Sequence, residues 1–121
     1  LNASSDFALV LDDDGTILEV VTQGDDAAAR TARAWRGQAG VQTVSAESRQ
    51  KVEAMLRDAQ VAADAASSRW RQVNHLIDGA ADLPVMYTAV QVGPRGRIIA
   101  VGRSLRTMAQ MQQRLIEAMA P

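Results

Sequence analysis

The residues that most directly suggest chemistry are the acidic cluster Asp12-Asp13-Asp14 and the Gly15-Thr16 step after it. The Asp12-x-Asp14-Gly15-Thr16 pattern fits magnesium-dependent phosphatase chemistry, in which one aspartate attacks phosphorus and the second acts as acid and base. Such an enzyme needs a parallel sheet of strand–helix units, a later basic residue and a later acidic pair. Because a second strand-like run follows immediately, the pattern instead predicts a hairpin turn whose aspartates cap backbone amides. A phosphatase using Asp12 and Asp14 remains the third hypothesis for function.

Two other candidate sites are weak. A calcium loop that begins at Asp12 would need a bidentate glutamate at its twelfth position, which is Gln23. His75 is the only histidine and there are no cysteines, so zinc would have no second imidazole or thiolate ligand. We interpret His75 as a structural hydrogen-bonding residue on a strand, with haem ligation as the rarer alternative. The sequence therefore assigns no catalytic residue, no metal site and no cofactor.

Length and composition limit the possible classes of protein. A chain of 121 residues with 47% apolar residues fits one domain with a packed core. The net charge of -1 gives no electrostatic footprint for nucleic acid or an anionic membrane. No apolar run approaches the roughly 20 residues of a membrane span, so we expect a cytoplasmic protein with no membrane contact. The first residue is Leu1 and the chain stops within a helical pattern, so we expect a piece of a longer polypeptide.

The first half of the chain predicts a hairpin followed by helices. Apolar runs at residues 7–11 and 16–21 flank the Asp-Gly step and predict two antiparallel strands. An Ala- and Arg-rich stretch at 27–35 predicts a helix. Ser45 is the predicted N-cap of the next helix. That helix has four apolar residues at the i, i+3, i+4, i+7 spacing, which are Val52, Met55, Leu56 and Ala59.

The second half predicts three strands and a final helix. Strand-like segments cover residues 70–77, 85–92 and 97–101, and the turn at 93–96 joins the last two. The fold class is therefore α+β, with a five-stranded antiparallel sheet, helices inserted after the second strand and an amphipathic C-terminal helix over 105–119.

The C-terminal helix carries an apolar stripe that a small domain has little surface to cover. We expect it to pack against a second copy of the chain, since a helix in water needs tertiary or quaternary burial. The alternative is that it packs back on its own sheet. The residues predicted to form the dimer or partner surface are Leu105, Met108, Met111, Leu115 and Met119.

The order of elements resembles a PAS domain, and an ordered series of residues resembles the N-terminal PAS domain of PpsR/CrtJ-type regulators. The series covers nearly the whole chain. In the hairpin it consists of 7–11, Asp14-Gly15 and Ile17-Leu18, and in the central helix region of Trp35-x-Gly37, Val44-Ser45-Ala46-Glu47-Ser48 and Lys51. In the last three strands it consists of Asn74-His75, Leu83-Pro84-Val85, Tyr87, Ile98-Ile99 and Gly102-Arg103, with Leu105-Arg106 at the exit of the fifth strand. Gln112-Gln113 and Leu115 follow in the linker helix.

The resemblance implies a PAS domain over residues 1–104 and the start of a helical, coiled-coil-like linker over 105–121. Regulators of this type are bacterial repressors of photosynthesis genes. They use this region for oligomerisation and for contact with an antirepressor or a neighbouring PAS domain. They bind DNA through a helix-turn-helix, which these 121 residues do not include. The alternative hypothesis is a ligand-binding PAS sensor domain of a histidine kinase or of a cyclic-nucleotide signalling enzyme.

Overall fold

The computed structural model describes residues 6–61, 67–93 and 95–120, without the side chains of residues 6 and 106–108. Two short 3₁₀ turns, Gly40–Thr43 and Ala46–Ser48, lie between the first two helices. The strands and helices, in chain order, are β1 (Asp6–Leu11), β2 (Ile17–Val21), α1 (Ala27–Arg33), α2 (Arg49–Val61), β3 (Arg71–His75), β4 (Leu83–Val92), β5 (Arg97–Ser104) and α3 (Leu105–Met119). None of the helices in the described residues is long and apolar enough to cross a membrane.

The strands form one sheet in the order β2-β1-β5-β4-β3, and each neighbouring pair is antiparallel. The predicted α+β fold, with five antiparallel strands and helices inserted after the second strand, is confirmed. The first strand lies beside the last, with Phe7 opposite Gly102, and Gly102 in turn lies opposite Tyr87. Phe7, near the start of the chain, is thus aligned in the sheet with Gly102 and Tyr87, which come much later in the sequence.

Several boundaries differ from the sequence prediction. Strand β3 is shorter than predicted, since only Arg71–His75 pair with β4. Strand β5 is longer and reaches Ser104, because it gains partners on both sides, from β1 and from β4. Pro84 lies inside β4, opposite Asn74 of the edge strand β3. The prediction for α3, residues 105–119, matches the observed helix.

Ser45 begins a helical segment as predicted, but its hydrogen bonding differs from the prediction. The segment starts as the 3₁₀ turn Ala46–Ser48 and continues into α2, and Ser45 makes no side-chain capping bond to a backbone amide. Its hydroxyl donates instead to Oγ of Ser48 at 3.2 Å. Ser48 Oγ accepts the backbone N–H of Asn74 at 2.9 Å, so this serine pair links the helical segment to the sheet.

The core lies between one face of the sheet and the helices. In β4 the buried residues alternate with half-buried ones, as expected for a strand with one face in the core. Helix α2 buries Val52, Met55 and Ala59 of its predicted stripe, and Leu56 packs at the margin. Each fully buried side chain of valine or methionine size stabilises the fold by roughly 1.5–3 kcal/mol through removal of apolar surface from water.

Gly102 allows the aromatic residues of the core to approach the centre of the sheet. A Cβ at this position would lie 2.6 Å from Cε1 of Tyr87 and 3.1 Å from Cζ of Phe7. The two rings pack edge to face, with centroids 5.7 Å apart. The absence of a side chain at Gly102 is therefore what leaves space for the Tyr87 ring beneath Phe7.

Candidate functional site

The predicted partner surface lies on α3, and most of it is in contact with solvent. Each described residue from Ala109 to Ala120 is exposed. Met111 is 57% exposed, Leu115 62% and Met119 77%. Ile116, which lies on the same apolar stripe, is also exposed. The helix thus presents a continuous apolar face that its own domain leaves uncovered.

The first turn of α3 differs from the rest. Leu105 is half-buried, and the helix approaches β4, next to which β5 ends with Ser104 paired to Val85. The side chain of Met108 lies outside the described part of the structure. Met111 and Leu115 line one shallow groove together with Gln112 and Arg114. The structure therefore brings Met111 and Leu115 together, while Leu105 belongs partly to the domain.

The acidic cluster forms the turn between β1 and β2. Oδ1 of Asp14 accepts the backbone N–H of Thr16 at 2.9 Å, and Oδ1 of Asp12 accepts that of Asp13 at 2.9 Å. The bond from Thr16 holds the pKa of Asp14 below its ordinary value, because a hydrogen bond to a carboxylate favours the charged form. The three carboxylates lie close enough to share a metal ion, but they are largely exposed. They do not lie at the end of parallel strands, as a phosphatase would require.

His75 lies in the core between the sheet and the helical layer, and both ring nitrogens have partners. Nε2 lies 2.6 Å from the hydroxyl of Tyr87, and Nδ1 lies 3.2 Å from the carbonyl oxygen of Thr43. A carbonyl only accepts, so Nδ1 carries the proton and Nε2 accepts from Tyr87. The Thr43 hydroxyl donates to the carbonyl of Gly40 at 2.7 Å, which leaves its lone pairs for Nδ1 at 3.2 Å. The interpretation of His75 as a structural hydrogen-bonding residue is confirmed by these contacts.

Burial favours the neutral form of His75. The indole of Trp35 stacks on the imidazole with centroids 4.0 Å apart. Burial lowers the pKa of His75 to about 4, although the Thr43 carbonyl acts in the opposite direction. Burial likewise raises the pKa of Tyr87 well above its ordinary value. Both groups are therefore neutral over the physiological pH range.

The space beside His75 is almost filled by side chains. A cavity of about 20 Å³ lies between the layers, lined by Tyr87, Met55 and Val44 among others. This volume has room for about one water molecule, whereas sites for small organic ligands are cavities of about 300–1,000 Å³. In this conformation the interior of the domain is a packed core.

Backbone bonds join the helical layer to the edge strand β3 at the same place. The amide of Leu76 donates to the Thr43 carbonyl at 2.9 Å, and the amide of Ser45 donates to the Asn74 carbonyl at 2.8 Å. Val44 and His75 form an isolated antiparallel bridge. The loop that holds Thr43 thus covers the outer edge of β3, and His75 connects this loop to Tyr87 in β4.

Sequence reasoning did not find this cluster. Trp35 and Tyr87 are two of the few aromatics, and that scarcity was a signal that they belong to the core. Thr43 gave no signal, because its role depends on the packing of a loop against a distant strand. The long-range pairing of residues 43 and 75 cannot be read from local periodicity.

Comparison with known proteins agrees with this architecture. A family model described as PAS fold matches residues 1–113. The chain is 30% identical over 118 residues to protein CrtJ of Rhodobacter capsulatus, an alignment that covers 98% of this chain and 24% of that protein. The chain therefore spans about a quarter of the length of this relative.

Solved structures with the same fold come from distant relatives. The PAS domain of an HTR-like protein from Haloarcula marismortui superposes with a TM-score of 0.59 at 20% identity, over 82% of this chain and 85% of that one. A domain of a sensor histidine kinase/response regulator from Geobacter sulfurreducens superposes with a TM-score of 0.57 at 16% identity, over 81% of this chain and 82% of that one. At such identities the likeness shows the fold alone.

Proposed function

Because the chain belongs to the PAS-fold family, we propose that it is the sensory and dimerisation module of a bacterial transcriptional regulator similar to CrtJ. The similarity to CrtJ extends over 98% of the chain, which supports a regulator rather than an unrelated PAS protein. As in the PpsR/CrtJ-type regulators, the whole protein would be a cytoplasmic repressor of photosynthesis genes. It would bind DNA through a separate helix-turn-helix.

The observation that carries the proposal is the uncovered apolar face of α3. An isolated helix of 15 residues is marginal in water, so its stability depends on burial against another surface. The face combines Met111, Leu115 and Met119, with Arg114 at its margin beside Met111 and Leu115, and Glu117 lies on the other side of the helix. An uncharged apolar stripe is compatible with an identical stripe on a second copy.

The proposed mechanism transmits a change in the domain to the pairing of two α3 helices. Helix α3 follows directly from β5, which lies between β1 and β4 in the sheet. A displacement of the sheet or of the helical layer therefore reaches the start of α3 without an intervening loop. Two paired helices with alternative arrangements would pass this displacement to other domains or to an antirepressor partner.

The ligand-sensor alternative has less support from the geometry. A PAS sensor that holds a small molecule against its sheet needs a cavity many times larger than the 20 Å³ found beside His75. The domain from a sensor histidine kinase shares the fold only. An enzymatic role for Asp12 and Asp14 has the least support, because both carboxylates serve the turn between antiparallel strands.

The test is sedimentation analysis of the double variant Met111→Asp with Leu115→Asp over a concentration series. Burial of two carboxylates in the apolar face of α3 should raise the dimer dissociation constant at least about tenfold for each substitution. Each tenfold corresponds to about 1.4 kcal/mol of binding free energy. The matched control is Gln110→Asp with Gln113→Asp, which adds the same charge on the other side of the helix. If the double variant and the control dimerise equally well, α3 is not the dimer surface.

A further inference from the structure

Gln112 occupies an unusual position on α3. Residues seven apart lie on nearly the same face of a helix, so Leu105, Gln112 and Met119 are aligned, with Leu115 beside them. The positions Leu105, Met108, Gln112, Leu115 and Met119 follow the alternating three- and four-residue spacing of a coiled-coil seam. Gln112 is the only polar residue in this seam, which we call the α3 seam.

The neighbouring glutamine behaves differently. Nε2 of Gln113 donates to Oε1 of Glu117 at 3.2 Å along the outer side of the helix. Gln112 instead lines the groove that Met111 and Leu115 form together with Arg114. Two adjacent glutamines thus have distinct environments, one on the solvated side and one among the residues proposed to be buried on association.

We propose that Gln112 sets the register of two paired α3 helices, an inference that rests on the proposed dimerisation through α3. A primary amide carries both a donor and an acceptor, so the complement of one Gln112 is a second Gln112. In a parallel pair in register, the two amides meet and hydrogen-bond across the seam. A shifted register places each amide against Leu or Met, where it is buried without a partner at a cost in free energy.

The exposure of the seam favours the parallel orientation. An antiparallel pair centred on Gln112 would place Met119 against Leu105 of the other copy, and Leu105 is already half-buried against its own domain. In the parallel pair the exposed Leu115 and Met119 each meet their own equivalents. Residues that flank the seam, such as Ala109, Met111 and Ile116, carry no charge. Ion pairs at these positions therefore cannot set the register, and Gln112 is the seam residue that can.

The experiment uses the absence of cysteine in the 121-residue chain. A Met119→Cys variant should form a disulfide with its own copy in a parallel pair. The 119–119 disulfide reports the pair in register, whereas an equimolar mixture of Met108→Cys and Leu115→Cys chains should give a 108–115 linkage when the parallel pair is shifted by seven residues. Peptide mass spectrometry of the oxidised protein measures the fraction of each linkage. Each measurement is repeated with Gln112→Leu added, and with Gln110→Leu as the control on the solvated side.

The expected result is a dominant 119–119 linkage with native Gln112 and with Gln110→Leu. With Gln112→Leu we expect a tighter association that loses its single register, with the 108–115 linkage increased at least about fivefold. A Gln112→Leu protein that keeps the native linkage pattern would overturn the proposal while leaving dimerisation through α3 intact. If ultracentrifugation finds the native chain monomeric at every concentration, both proposals fail together.

Discussion

The buried histidine makes the stability of the domain depend on pH in a way that a single group controls. The pKa of His75 is lowered from 6.5 to about 4, first because burial disfavours the imidazolium. In the unfolded chain the imidazole takes up a proton as pH falls through about 6.5. The folded protein takes it up only near pH 4. The unfolded state therefore binds more protons between these values, and the free energy of unfolding decreases as pH falls.

The size of the effect follows from the two pKa values. The interval between 6.5 and about 4 corresponds to about 3 kcal/mol, at about 1.4 kcal/mol for each tenfold change in proton affinity. The stability that the domain gains by burying a neutral imidazole is complete above pH 6.5 and is lost by about pH 4. The pKa of Asp14 and that of Asp58 are both below their ordinary values, so their contributions are lost at still lower pH.

The assay has two parts that rely on His75 being the only histidine. Proton NMR of the single imidazole Hε1 resonance measures the pKa in the folded protein directly. Urea unfolding at a series of pH values between 7 and 4 then measures how steeply the free energy of unfolding changes with pH. It is done for the native protein and for His75→Gln, whose side chain cannot titrate. The slope should be largely absent in the variant, whatever its overall stability. A folded-state midpoint near 6.5, or equal slopes in the two proteins, would refute the reasoning.

Four further predictions concern other contacts. Tyr87→Phe should destabilise the domain by about 1–3 kcal/mol in urea unfolding, since His75 Nε2 loses its hydrogen-bond donor in the core. An unchanged free energy of unfolding would mean that another group donates to Nε2. Gly102→Ala should cost about 1–3 kcal/mol through overpacking against Tyr87, whereas Val101→Ala, at an exposed position, should change little; equal effects would contradict the packing argument. Asp58→Asn should lower the melting temperature by removing the carboxylate that pairs with the nearly buried Arg71, and an unchanged melting temperature would show that this ion pair is dispensable. Hydrolysis of a phosphate ester with magnesium should stay at the buffer background, and activity abolished by Asp12→Asn would revive the phosphatase hypothesis.

The elements that depend on short-range sequence patterns could be predicted from the sequence alone. The Asp-Gly turn between β1 and β2 and the stripe of α2 have short-range signals, and the observed elements match them. The limits of β3 and β5 could not be predicted, because they depend on which strands lie alongside. The exposed face of α3 was predictable as amphipathic, but the half-burial of Leu105 depends on where β5 places the start of the helix.

The pairing of β1 with β5 has a consequence for the order in which the protein folds. Asp6 lies opposite Arg103, so the centre of the sheet joins segments from the two ends of the described chain. The β1–β2 hairpin needs only local contacts, but β1 lacks its second neighbour until β5 has been synthesised and brought back to it. Non-local closure of this kind slows folding and leaves strand edges open to other chains in the meantime. A polypeptide that stops before Arg97 would therefore expose the edges of β1 and β4 and would be prone to aggregate.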